Sequence, residues 1–341
     1  MKTLREKPWT GVVEMAHGAG GRAMAELIEQ MFVAALGNGL LDGQEDQAVL
    51  GVPPGRLALS TDGYVVSPLF FPGGDIGHLA VNGTINDVAM AGAQPIALTL
   101  SFILEEGFPL ADLARIVASI AEASRAAGVP VVTGDTKVVE RGKADGVFIT
   151  TAGIGLVREG VALSARRARP GDAILVSGSM GDHGATVMGL RAGFGVESDV
   201  RSDSAALHGL VAALLEATGA LHCLRDPTRG GLAAVLNEIA AASGVAMRIE
   251  EEAIPVRPEV AGLCDLLGLD PLYVANEGKL VAILPAAEAE AALAAMRAHP
   301  LGREAAIIGE VRAGDGVEMR TRFGGIRTVD WIAGEQLPRI C

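Results

Sequence analysis

Four aspartates stand in settings where a carboxylate does chemistry: Asp62 in Ser60-Thr61-Asp62-Gly63, Asp87 in Asn86-Asp87, Asp135 in Gly134-Asp135-Thr136-Lys137, and Asp226 in Arg225-Asp226-Pro227-Thr228-Arg229-Gly230-Gly231. Asp62 and Asp135 each close an apolar, strand-like run, and Asp226 precedes a helix start. Asp87 sits inside a helix of small and apolar residues, where a charge is costly unless it is paired or metal-bound. Strand ends and helix starts of an α/β fold are where ligands collect. Magnesium takes oxygen ligands, commonly one or two carboxylates plus substrate phosphates. Converging aspartates would therefore hold one or more ions on a triphosphate. Taken singly, each reads equally as a helix cap or turn residue.

Other groups extend this chemistry. Lys137 would neutralise phosphate charge as a point cation, or is an ordinary surface lysine. Glu277, beside the turn glycine of Ala275-Asn276-Glu277-Gly278-Lys279, would be a general base if it faces the site; from spacing alone it is a turn residue. The sequence ends in Leu337-Pro338-Arg339-Ile340-Cys341. A thiol on a mobile terminus would swing out of its own site and visit another protein, as a covalent carrier must; it also reads as an accident of where the sequence stops. The glycine turns Gly18–Gly21 and Gly178–Gly184 would let backbone N–H groups approach phosphates at helix starts. Neither fits Gly-x4-Gly-Lys-Ser/Thr, and His17 and His183 within them read as hydrogen-bonding turn residues.

The elements that must position these groups follow from periodicity. The spacing predicts helices over 22–36, 75–90, 110–127, 204–218, 231–242, 258–267 and 286–299, with another from Ala185. It predicts strands over 57–61, 96–104, 129–133, 147–157, 173–177, 245–249, 279–284 and 306–311, then a hairpin-like stretch beyond Gly314. Alternating strands and amphipathic helices indicate a layered α/β domain in the first half. The pattern breaks at Arg166-Arg167-Ala168-Arg169-Pro170-Gly171, read as a solvated linker ending in a turn. We divide the chain into residues 1–157, a linker 158–170, a second domain 171–330 and a tail 331–341.

At 341 residues, half of them apolar, the chain is long enough for two cores. A net charge of −13 argues against a nucleic-acid or anionic-membrane surface. No apolar run reaches the roughly 20 residues of a membrane helix, and no secretory signal is visible. Three unevenly spaced cysteines form neither a disulfide framework nor a metal pair. The expected setting is reducing and cytoplasmic, with Cys341 free and Cys223 and Cys264 buried in apolar surroundings.

Ser-Thr-Asp-Gly, the segment Val81-Asn82-Gly83-Thr84-Ile85-Asn86-Asp87, Gly-Asp-Thr-Lys and Asp-Pro-Thr-Arg-Gly-Gly occur here in that order. With the ending Pro338-Arg339-Ile340-Cys341 they resemble the HypE family, the carbamoyl dehydratases of hydrogenase maturation. That family lies in the ATP-binding superfamily of aminoimidazole ribonucleotide synthetase and selenophosphate synthetase. The resemblance runs from His17 to Cys341. It departs from selenophosphate synthetases in the loop His17–Met24, which lacks their Cys and Lys.

The resemblance implies an N-terminal α/β domain that dimerises through its sheet into a β-barrel, a C-terminal α+β domain and a mobile C-terminal tail. ATP would bind between the domains near the dimer interface, through Asp62, Asn86, Asp87, Asp135, Thr136, Lys137 and Asp226. Mg2+ would sit on Asp62, Asp87, Asp135 and Asp226. A carbamoyltransferase would load Cys341, and ATP-driven dehydration would yield a thiocyanate. The cyano group would then pass to iron on a scaffold complex for the [NiFe] centre. Catalysis would rest on Cys341, Glu277 and Lys137. The neighbouring α-carboxylate should raise the thiol's pKa and Arg339 partly offset it, while Gly334 would hinge a tail that Pro338 stiffens. Two other readings stand beside this one: a superfamily enzyme acting on a small metabolite, independent of Cys341, and a nucleotide-binding scaffold without turnover.

Overall fold

The computed structural model describes residues 9–41, 45, 47–193, 199–331 and 339–341. The expected hinge at Gly334, with Leu337 and Pro338, lies outside them.

The first half is built on a four-stranded sheet. Helix α1 (Arg22–Leu27) passes through a π-helical turn, Ile28–Val33, into α2 (Ala34–Leu36). Strand β1 (Leu57–Tyr64) is followed by the short pair β2 (Phe70–Phe71) and β3 (Gly74–Asp75), then by α3 (Ile76–Met90). Next come β4 (Ala93–Glu105), α4 (Leu110–Ala127), β5 (Val131–Val139) and β6 (Val147–Val157). The strand order is β1-β6-β4-β5, with α4 as the crossover that makes β4 and β5 parallel. Helix α4 is amphipathic: Leu113, Ile116, Val117 and Ile120 face the core, and Gly128 ends it at φ 67° in the left-handed region. Helix α3 is buried all round except at His78 and Asp87. Its Thr84 hydroxyl bonds both the Tyr64 hydroxyl and Thr151, pinning it to the sheet.

The sheet's other face is open and apolar. Leu57, Leu59 and Ile103 are exposed there, Leu59 by 74%. Leu59 pairs with Ile154, and Ile103 with Phe148, on the same face.

The second half is a seven-stranded sheet between helices. Its elements are β7 (Asp172–Val176), α5 (Asp182–Arg191), α6 (His208–Ala217), β8 (Cys223–Arg225), α7 (Gly231–Ser243), β9 (Ala246–Glu250) and α8 (Pro258–Leu267). Strand β10 (Val281–Pro285), α9 (Ala289–Ala298), β11 (Ala306–Arg312), β12 (Gly316–Arg320) and β13 (Ile326–Thr328) complete it. The order is β13-β12-β9-β11-β7-β10-β8. Strand β7 shows why both faces must be covered: Ile174 and Val176 enter one core with Leu232 and Leu236 of α7, while Ala173 and Leu175 enter another with Leu210 of α6 and Met296 of α9.

Several boundaries differ from the sequence reading. Strands β1 and β5 run through Gly63 and Gly134, which pair with Thr150 and Leu100. Asp62 and Asp135 therefore lie within strands, not at their ends. A Cβ at Gly134 would collide with the Leu100 carbonyl, so the glycine there serves close strand approach rather than a turn. Helix α5 starts at Asp182, ahead of Ala185, and α6 starts at His208, not Ser204, because residues 202–205 are held by polar contacts described below. The stretch 158–171 carries no helix or strand, and Arg166 and Arg169 are exposed.

Candidate active site

Strand β1 and helix α3 bring the first carboxylates together. Alternation along β1 turns Ser60 and Asp62 to the face that α3 covers, and the Ser60 hydroxyl donates to Asp87 at 2.6 Å. Burial raises the Asp87 pKa, with Ser60 opposing and Asp62 adding to the rise. Asp226 follows β8 and is pushed up to about 7 by burial and by the nearby charges of Asp87 and Asp62.

Glu277 completes this group from the loop before β10. It is 3% exposed, and its Oε1 has no hydrogen-bond partner among the described residues. Burial, then Asp203, Asp226, Asp62 and Asp87, hold its carboxyl well above the usual range. A carboxyl so placed binds a proton more readily than one in water, the property an acid-base group needs.

The loop carrying Glu277 is clamped by Asp203, a residue the sequence reading missed. Its carboxylate accepts from the N–H groups of Glu277 (3.0 Å) and Gly278 (3.3 Å) and from Lys279 Nζ (3.0 Å). Burial pushes the Asp203 pKa up, but Lys279 and these donors outweigh it and leave it lowered. A Cβ on Gly278 would fall on the Asp203 carbonyl oxygen. Asn276 ties in two further loops: its side chain accepts from Gly181 N–H at 2.7 Å and donates to the Pro227 carbonyl at 3.0 Å.

Asn86, expected on ATP, spends its side-chain amide on backbone. It donates to the carbonyls of Ala205 (3.0 Å) and Glu277 (3.2 Å) and accepts from Leu207 N–H (2.7 Å). It is 1% exposed and acts on the site by holding the Glu277 loop.

Asp135, Thr136 and Lys137 stand apart. Strand β5 lies three strand spacings from β1, about 14 Å at the usual interstrand distance. Asp135 and Lys137 are exposed and Asp135 pairs with Ser101, while Thr136 is buried on the opposite face. Lys137 Nζ and Asp135 form an ion pair at 2.6 Å, which lowers the Asp135 pKa. Within one chain these two do not converge with Asp62, Asp87 and Asp226, because β4 and β6 intervene.

Residues 339–341 are docked beside the carboxylates. Ile340 is 2% exposed and belongs to the N-terminal core. The Val65 N–H donates to the Cys341 carbonyl at 3.1 Å and the Ser67 N–H to the Arg339 carbonyl at 3.2 Å, extending the line of β1. Burial pushes the Cys341 thiol up to about 12, with Glu277 and Asp62 adding and Arg229 opposing. The expectation that Arg339 offsets the thiol is corrected: its guanidinium turns away to Asp145 and to the Val65 carbonyl at 2.9 Å. His183, read as a turn residue, is fully buried in the first turn of α5 and donates to the Ile340 carbonyl at 2.8 Å. His17 does serve its turn, accepting from Glu14 N–H at 2.9 Å. Cys223 and Cys264 are both buried, with thiols raised to about 12 and about 11. A cleft of about 840 Å3 lined by Arg56, Arg158, His208 and Glu216 holds none of these carboxylates. No described helix is long and apolar enough to cross a membrane.

Comparison with known proteins matches residues 44–157 to the AIR synthase related protein N-terminal domain and residues 169–322 to the C-terminal domain of that family. The chain is 66% identical over 333 residues to the carbamoyl dehydratase HypE of Azotobacter vinelandii, covering 97% of this chain and 98% of that protein. It superposes on a hydrogenase maturation protein HypE crystallised with ATP, with a TM-score of 0.93 at 52% identity, covering 96% of this chain and 99% of that one. A HypE in a HypE–HypF complex superposes with a TM-score of 0.80 at 48% identity, covering 90% and 99%.

Proposed function

The chain belongs to the AIR synthase related family and, within it, to the HypE carbamoyl dehydratases of hydrogenase maturation, and from that premise we propose how its own residues carry the reaction. The activity is ATP-dependent dehydration of an S-carbamoyl group on Cys341 to a thiocyanate, the source of the cyanide ligand on the iron of [NiFe] hydrogenase. The observation that carries the assignment of roles is the docked Cys341, close enough to Glu277 for the carboxylate to act on its thiol, while Glu277 Oε1 has no hydrogen-bond partner among the described residues.

An amide oxygen is a poor leaving group. Attack of the carbamoyl oxygen on the γ-phosphorus of ATP releases ADP and turns it into a phosphate ester. Glu277 takes one proton from the phosphorylated carbamoyl group's nitrogen, the C–O bond breaks as phosphate departs carrying the second N–H proton as hydrogen phosphate, and the C≡N triple bond remains on sulfur. Asp62, Asp87 and Asp226 offer the oxygen ligands Mg2+ takes, without forming a ready three-ligand cluster among the described residues. Asp226 is raised to about 7 first by burial and then by repulsion from Asp87 and Asp62, and the repulsion is what a divalent cation would relieve. The ion would offset charge on the transferring phosphoryl group.

The docked thiol also sets the order of events. At pH 7 a thiol of pKa about 12 is thiolate in roughly 1 of 10^5 molecules, against roughly 1 of 100 at the ordinary 9.0. Loading by the carbamoyltransferase therefore takes place with residues 339–341 released, and dehydration with them docked. A HypF-type protein is the loading partner, and an iron-bearing scaffold complex receives the cyano group. The apolar outer face of the N-terminal sheet is covered by a second copy, and Asp135 and Lys137, exposed on that face, are supplied to the site across the interface.

Intact-protein mass spectrometry tests the reading. With carbamoyltransferase, carbamoyl phosphate and ATP, the chain gains a carbamoyl adduct that then loses the mass of one water, and Cys341→Ala gains none. An adduct that survives in Cys341→Ala sinks it.

A further inference from the structure

We propose that His183 and Arg191 are positioning residues that grip the backbone of residues 339–341 and seat the carbamoyl-bearing thiol against Glu277. The proposal rests on Cys341 being the carrier.

The contact is built on main-chain carbonyls. Three in succession find a donor: Arg339 from Ser67 N–H and the Arg191 guanidinium, Ile340 from His183 Nε2 and Cys341 from Val65 N–H. Arg191 Nε also donates to the Ser67 carbonyl at 2.5 Å, so one guanidinium spans both segments. Two of the donors are side chains from α5, an element remote in sequence from both.

The His183 ring has one workable state. A carbonyl only accepts, so Nε2 carries the proton. Nδ1 then accepts from the Ser202 hydroxyl at 2.8 Å, and Ser202 Oγ in turn accepts from Ser204 N–H at 3.2 Å. Phe71 packs edge-on to the ring, with centroids 5.4 Å apart. An imidazole held on both nitrogens and one edge cannot swing.

The same frame reaches the base. Gly184 N–H donates to the Ala275 carbonyl at 3.0 Å, and Gly181 N–H to Asn276, so the turn bearing His183 is bonded to the loop bearing Glu277. Carrier and base are thus fixed against one scaffold. Arg339 lies at φ 52°, in the left-handed region, a conformation that persists only where the surroundings impose it.

The test reads Cys341 directly. Alkylation of the full chain by a maleimide, located by mass spectrometry, reports release of residues 339–341, because Cys223 and Cys264 are buried. His183→Ala should accelerate labelling of Cys341 about tenfold or more, Arg191→Met should do the same, and His183→Gln, which keeps an N–H donor, should stay near wild type. On preloaded protein, dehydration should slow in step with faster labelling, while the ATP-induced rise in Tm is kept. Wild-type labelling in His183→Ala and Arg191→Met, or labelling of His183→Gln as fast as His183→Ala, overturns the proposal. If wild-type carbamoylated protein never loses water, the carrier reading fails instead, since labelling needs no carbamoyl group.

Discussion

Replacing Asp226 by Asn should stabilise the nucleotide-free protein, and by an amount that depends on pH. The folded chain holds this carboxyl at about 7, against 3.8 when unperturbed. The unfolded chain therefore gives up the proton first. Stability from this group is complete below about 3.8, falls as pH rises and is lost once pH passes 7. At ~1.36 kcal/mol per pH unit, the full penalty is about 4 kcal/mol. Solvent at the partly exposed site trims it to about 2–4 kcal/mol. At pH 5 only the stretch from 3.8 to 5 has been traversed, about 1.6 kcal/mol before trimming. Asn cannot ionise and escapes the penalty. At roughly 2 °C per kcal/mol, Tm of Asp226→Asn should exceed wild type by about 4–8 °C at pH 8 and by less than half of that at pH 5. Magnesium and ATP should erode the advantage, since they stabilise the wild-type carboxylate and not the amide. The assay is Tm by calorimetry at both pH values, with and without the nucleotide. A gain equal at pH 5 and pH 8 would refute the argument, for the burial of Asp226 beside Asp87 and Asp62 would then have no energetic expression.

Gly278→Ala should lower stability by about 2–4 kcal/mol and depress dehydration at least tenfold, because the added methyl displaces the Asp203 clamp under Glu277; denaturant unfolding and single-turnover dehydration check it, and a near-neutral variant would dismiss the clamp. Co-expressing Lys137→Ala with Glu277→Gln, each inactive alone, should restore about a quarter of wild-type activity if each site takes Lys137 from the second copy, since half the dimers are mixed and each has one whole site. No recovery would place Lys137 outside the partner's site.

Much of this was legible in the chain. Helix α4 announces itself through 3.6-residue periodicity and Gly128, and β6 through a run of β-branched and apolar residues over Val147–Val157. Cys341 and Glu277, with Asp62, Asp87 and Asp226, stand out as candidates because short motifs place them at turns or in apolar surroundings where charge is conspicuous. What was not legible is pairing at long range. Asp203 meets Lys279 across 76 residues, and His183 meets Ile340 across 157, with nothing local to mark either. Nor does spacing tell which face of a sheet an aspartate occupies once its strand continues through a glycine, which is why Asp135 looked equivalent to Asp62. The terminal segment carries a second signal beside its thiol: the apolar Ile340 next to the cysteine gives residues 339–341 a reason to dock.

Helix α3 has a further consequence, for how the molecule melts. It is enclosed by the first sheet and by α4 on one side and contacts α6 and β8 of the second half on the other. Its Asn86 alone is bonded to three backbone groups of that second half. Neither lobe can lose its structure while the helix stays buried, and exposing the helix strips the core of one lobe and the wall of the other. Two domains by sequence thus become one cooperative unit, with the carboxylate site lying on the seam that couples them.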